Sequence, residues 1–173
     1  MSTDTQEALI LQEEELEVLQ SIYPDYIVSG PSEGNLSLEI PIELPHQCTV
    51  TILSGPDSDH GASKLSLSYL PPIHLDIELP KSYPLSRPPR ISSIQTAHSW
   101  FPESWKLVQT LEELWSEGQG VLCQWAEIIL TGEFLDHIGS LYSKSEIRYV
   151  NWYLSFPLYV NRTTSVYRIP LFN

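Results

Sequence analysis

The chain is poor in the residues that most metal and catalytic sites require. It has two cysteines, Cys48 and Cys123, with no CxxC pair, and its five histidines (46, 60, 74, 98 and 137) are scattered. A structural zinc site takes four ligands, usually brought as close pairs that preorganise a tetrahedron. No zinc site is legible, and no metal or other cofactor is expected. Positive charge is missing from the first third: no Lys or Arg precedes Lys64, ten Asp and Glu fall in the first fifty residues, and the net charge is −13. Nucleic-acid affinity is built on cations that displace counterions, so direct DNA or RNA binding is not expected. The N-terminus lacks a basic segment leading into an apolar run, and no apolar stretch approaches the ~20 residues that span a bilayer. A cytoplasmic or nuclear protein without a transmembrane segment is the expectation. Glycine-rich phosphate loops and acid–base constellations are missing too, which leaves small-molecule chemistry without support.

What is present is an ordinary globular composition, 42% hydrophobic and 18% charged. A chain of this length suits one domain and buries roughly 70% of its unfolded surface. Thr3 and Asp4 can cap a first helix, with Gln6 and Glu7 in capping-box register. Leu9, Leu16, Leu19 and Tyr23 form one apolar stripe with Ile22 beside it. Pro24 ends the helix, because the residue before a proline is pushed out of the α region. The acid run Glu13 to Glu15 then reads as a solvated face that could also dock a basic partner.

Four alternating segments follow: Leu36 to Leu44, Cys48 to Ile52, Leu65 to Tyr69, and Ile73 to Leu79. Arg90 to Ile94 can add a short last strand. Alternation with one wet face predicts an antiparallel sheet covered on one side. Pro41 marks an edge or a bulge, and Pro71-Pro72 reads as a turn between two strands. His74, Asp76 and Glu78 share a strand face and read as its polar side. Trp105, Val108, Leu111 and Leu114/Trp115 predict one later helix. Val121, Leu122, Trp125, Ile128/Ile129, Leu135 and Ile138 predict another, closed by Gly139. The fold class is therefore α+β, in the order α-β-β-β-β-α-α, with helices packed on one face of a four-stranded antiparallel sheet.

"EEELEVLQSIYPDY", then "YLPPIHLDIELPKSYPLSRPPRI", then two C-terminal helices, resembles an RWD domain. The YPxxxPP turn of that family is matched here by Tyr83, Pro84, Pro88 and Pro89. Leu114-Trp115, Gly120, Val121-Leu122 and Trp125 are similar to the N-terminal RWD domain of RING-between-RING E3 ubiquitin ligases. The resemblance implies a fold like that of ubiquitin-conjugating E2 enzymes, but used as a non-catalytic interaction module. An E2 needs a reactive cysteine beyond the fourth strand, near an oxyanion-stabilising asparagine, and "SSIQTAHSWFPES" has neither. Cys123, between Leu122 and Trp125, reads as a buried small hydrophobe. The RING modules of the ligases, dense in CxxC and Cys/His pairs, have no counterpart here, so the chain is expected to be no enzyme but a truncated or RING-less relative. The resemblance implies protein partners, either ubiquitin-system proteins or transcription-factor clients. The alternative is a regulator of translation control, since RWD domains of the amino-acid-starvation kinase pathway bind a ribosome-associated activator. Candidate partner-binding residues are Glu13, Glu14, Glu15 and Trp100, the last as an exposed anchor.

The expected boundaries are residues 1–139 for the domain and 140–173 for a basic, aromatic tail. The tail carries four Lys/Arg against one acid and eight of the 18 aromatics, and Trp152, Leu154, Phe156, Leu158 and Val160 alternate as a strand would.

Overall fold

Two long strands carry the architecture. In the computed structural model, which describes residues 3–32, 34–54, 63–96, 101, 103–137 and 146–151, helix α1 (Thr3–Ile22) and a 3-10 turn (Pro24–Tyr26) lead into strands β1 (Ile27–Ser32), β2 (Asn35–Ser54), β3 (Ser63–Glu78) and β4 (Arg90–Thr96). Helices α2 (Ser104–Glu113), α3 (Leu122–Leu130) and α4 (Phe134–His137) follow, then strand β5 (Glu146–Asn151). β1 to β4 form an antiparallel meander in chain order, so the expected α-β-β-β-β-α-α arrangement holds. β5, within the stretch set apart as a tail, pairs parallel with Thr49 to Ser54 of β2. Trp152 and the residues after it lie outside the described ones.

The strands are divided differently from the sequence expectation. Leu36 to Leu44 and Cys48 to Ile52 belong to one strand, β2. Leu65 to Tyr69 and Ile73 to Leu79 lie along β3 and its exit, and the remaining place in the sheet is taken by β1, which its short sequence does not announce. The prolines explain the misreading. Ile40 pairs with Ile73 and Ile42 with Leu70, so Pro41 on β2 faces Pro71 and Pro72 on β3. One residue against two is a bulge, where a missing N–H breaks no ladder bond. The extra residue also shifts the side-chain phase of β3. Leu70 becomes buried, and Tyr69, the last apolar position of the Leu65-to-Tyr69 alternation, is 61% exposed.

The core lies between the sheet and the helices. Leu36, Leu38, Ile40 and Ile42 of β2 and Ile73, Leu75 and Ile77 of β3 are buried in one cluster with Leu19 of α1, Leu107 and Leu111 of α2, and Leu122, Trp125, Ala126 and Ile129 of α3. The opposite sheet face is polar. There Ser37 Oγ donates to Asp76 Oδ1 at 2.6 Å, and His74 Nε2 lies 3.2 Å from the same oxygen. No group of three metal-binding side chains occurs among the described residues.

The helices correct three details. Trp105, expected on the buried stripe of α2, is 60% exposed with the Lys106 ammonium over its ring, and Leu107 and Leu111 take the buried positions. On α1, Leu9 and Ile22 are exposed, and the buried face runs through Ala8, Gln12 and Leu19. The last helix is two: Gly132, at φ +68°, turns the chain between α3 and α4, a conformation glycine adopts without a Cβ penalty. Ile138 and Gly139 lie outside the described residues.

Candidate functional site

The connection between β3 and β4, from Leu79 to Pro89, contains the Tyr83, Pro84, Pro88 and Pro89 turn. The Tyr83–Pro84 peptide is cis. Tyr83, Pro84 and Pro89 are buried, whereas Ser86, Arg87 and Pro88 face solvent. Within the turn the Tyr83 N–H donates to the Pro80 carbonyl at 2.9 Å, and the Ser86 N–H to the Ser82 carbonyl at 3.0 Å. Three fixed proline φ angles leave the segment little conformational freedom to lose on folding.

This turn is tied to both helices that flank it. From α1, Gln12 Nε2 donates to the carbonyls of Pro80 (2.8 Å) and Tyr83 (2.7 Å). From the segment before α3, the Gly118 N–H donates to the Pro84 carbonyl at 2.9 Å. The Tyr83 hydroxyl sits at the centre: it donates to Glu15 Oε2 at 2.6 Å and accepts the Val121 N–H at 2.9 Å. Glu15 Oε1 accepts the Leu122 N–H at 2.7 Å. Val121 and Leu122 open α3, where N–H groups have no partner inside the helix and the helix dipole favours a negative charge. Glu15, supplied from α1, thus caps α3 across a sequence separation of 107 residues. Gly120 makes room for it, since a Cβ there would stand 2.5 Å from Glu15 Cδ.

The electrostatics fit a structural junction. Burial pushes the Glu15 carboxyl above its ordinary value, against the opposing pull of the Tyr83 hydroxyl and the Leu122 and Val121 N–H groups. Burial, reinforced by the Glu15 charge, raises the Tyr83 phenol and keeps it protonated as a donor. A carboxyl raised in the folded state favours folding most when protonated, so its contribution is present below the unfolded value of 4.5 and declines as pH rises through the folded value. The stability advantage of the wild type over Glu15→Gln should therefore be larger at pH 4 than at pH 7, as read by urea denaturation at both. An advantage that grows with pH would contradict the burial.

The candidate binding residues separate because successive helical positions point about 100° apart. Glu13 and Glu14 are exposed, while Glu15 turns inward to Tyr83. Glu15 is thus a structural cap and not part of a wet docking face. Trp100 lies outside the described residues. Gln12 is the residue that sequence reasoning missed. Its signal was a polar side chain within the stripe that buries Ala8 and Leu19. Cys123 is half-buried on α3, and burial, with the Glu15 charge adding to it, raises its thiol. Such a thiol is a weak nucleophile.

A family model described as RWD domain matches residues 10–131. The chain is 33% identical to E3 ubiquitin-protein ligase RNF14 of Danio rerio over 144 residues, 80% of this chain and 28% of the relative. It is 31% identical to RNF14 of Homo sapiens over 137 residues, 75% of this chain and 27% of the relative. Identity to E3 ubiquitin-protein ligase itt1 of Schizosaccharomyces pombe is 29% over 106 residues, 60% of this chain and 23% of the relative. The chain thus covers about a quarter of the length of the curated relatives it matches. No solved structure matches it. With the Tyr83–Pro84 turn seated between the first helix and the start of α3, and the family match running from α1 to the end of α3, the chain belongs to the RWD domain family.

Proposed function

We propose that the chain is a non-catalytic protein-interaction module of ubiquitin ligation, acting in the cytoplasm or nucleus as the recognition part of machinery whose chemistry is performed elsewhere. The observation that carries this reading is the relationship to three E3 ubiquitin-protein ligases, together with a polar network consumed by structure. Tyr83, Glu15 and Gln12 hold backbone groups, and Cys123 is a half-buried thiol with a raised pKa. The finer reading is a shortened relative of a RING-between-RING ligase, tested by the genomic sequence downstream of codon 139. An in-frame cysteine-rich segment beyond a splice site supports it.

The biochemical test is incubation with E1, ATP and ubiquitin, with and without E2. No thiol-sensitive ubiquitin adduct should form on the chain, and affinity capture should return ubiquitin-system proteins or transcription-factor clients. An adduct that disappears in Cys123→Ser would sink the non-catalytic reading. Capture of translation-control proteins in their place would move the module to that pathway.

A further inference from the structure

Helix α1 and strand β1 enclose an open groove of about 380 Å³, within the range of ligand-accepting clefts. Its apolar lining comes from Leu9 and Leu16 of α1 and Ile27 of β1, with Gly30 leaving the strand side low. Its rim carries Glu13 and Glu17, one helical turn apart and both exposed. Neither enters an ion pair among the described residues, where the pairs include His74–Asp76, Arg90–Glu78 and Lys106–Glu103. No cation of this chain precedes Lys64, so α1 and β1 contain none. β1 is also the end of the sheet order, with β2 its one partner strand among the described residues.

We propose that the groove between α1 and β1 is the docking site for a basic amphipathic helix of another protein. The reading rests on the chain being an interaction module and names its surface. Leu9 and Leu16 are seven residues apart, so they project about 10.5 Å apart along α1. A second helix presents apolar side chains at the same spacing, which is the geometry of helix-in-groove recognition. Lysine or arginine on the flank of that helix reaches Glu13 and Glu17, where opposite charge selects the partner and speeds encounter. The two glutamates then gain the cations that no described residue of their own chain places beside them. An acidic or purely apolar helix would meet like charge or leave the rim unpaired.

The probe is a fluorescein-labelled peptide of three Leu-Ala-Ala-Lys-Leu-Lys-Ala heptads, titrated by anisotropy against the full chain at physiological salt. Glu13→Gln with Glu17→Gln should weaken binding by about tenfold, as should Leu9→Ser. Glu7→Gln with Glu14→Gln removes the same charge elsewhere on α1 and should stay within about twofold. Equal weakening by both double variants would reduce the attraction to the general acidic field and overturn the proposal. So would a gain in peptide affinity on Arg162→Glu with Arg168→Glu, which would make the chain's own tail the occupant. A homodimer dissolved by Leu9→Ser would make the occupant a second copy and would overturn the proposal equally. The two readings also fail separately. If ubiquitin-system proteins are captured equally by wild type and Glu13→Gln/Glu17→Gln, the groove is not their site and the module reading stands. If the peptide data hold but no such protein is captured, the groove stands and the link to ubiquitin falls.

Discussion

Tyr83→Phe is expected to lower the unfolding free energy by about 3 kcal/mol although it deletes a single oxygen. The ring is fully buried, and phenylalanine fills the same space, so the loss is confined to the hydroxyl. That hydroxyl accepts the Val121 N–H and donates to Glu15. Without it, one buried donor and one half-buried carboxylate oxygen each lose a partner, at about 1–3 kcal/mol for the buried group and less for the half-buried one. For a chain of this size the melting temperature should fall by roughly 6–12 °C. Arg87→Ala, in the exposed part of the same turn, should stay within about 0.5 kcal/mol. Urea denaturation of both variants checks the contrast. A Tyr83→Phe loss below about 1 kcal/mol would mean that the hydroxyl does not hold the three segments together.

Trp125→Ala should cost more, about 4 kcal/mol. Among the described residues Trp125 is the largest fully buried side chain, and it lies on α3 within the core. Its indole N–H also donates to the Leu111 carbonyl at 2.8 Å, fastening the last turn of α2 to α3. The two contributions can be separated. Trp125→Phe keeps most of the packing but leaves the Leu111 carbonyl without its donor, so hydrogen exchange across residues 104–113 should accelerate more than exchange in β2 and β3. Uniform acceleration would assign the effect to the core alone.

Much of the fold was legible because its signals are local. The stop at Pro24, the alternation of Leu36 to Ile42 and of Ile73 to Leu79, and the turn at Tyr83–Pro84 each depend on near neighbours. The errors arose where a local rule met a longer-range one. Proline reads as an interruption, yet Pro41, Pro71 and Pro72 share one bulge, and the strands run through it. Trp105 fitted the helical period but faces solvent, since period locates a stripe and not the surface that covers it. The site was the least legible part. Glu13, Glu14 and Glu15 are chemically identical in the sequence, and the partners that distinguish Glu15 are contributed by Tyr83 and Leu122.

The junction also sets an order on biosynthesis. Its bonds join residues 68, 71 and 107 positions apart, and loops of that size close late because their ends must first meet. While the nascent chain has not yet delivered Leu122 from the ribosome, Glu15 and Tyr83 lack the amides that they hold in the folded protein. The β2–β3 hairpin can form before that moment. The helical layer can lock only after it, when Trp125, Ala126 and Ile129 of α3 also reach the core.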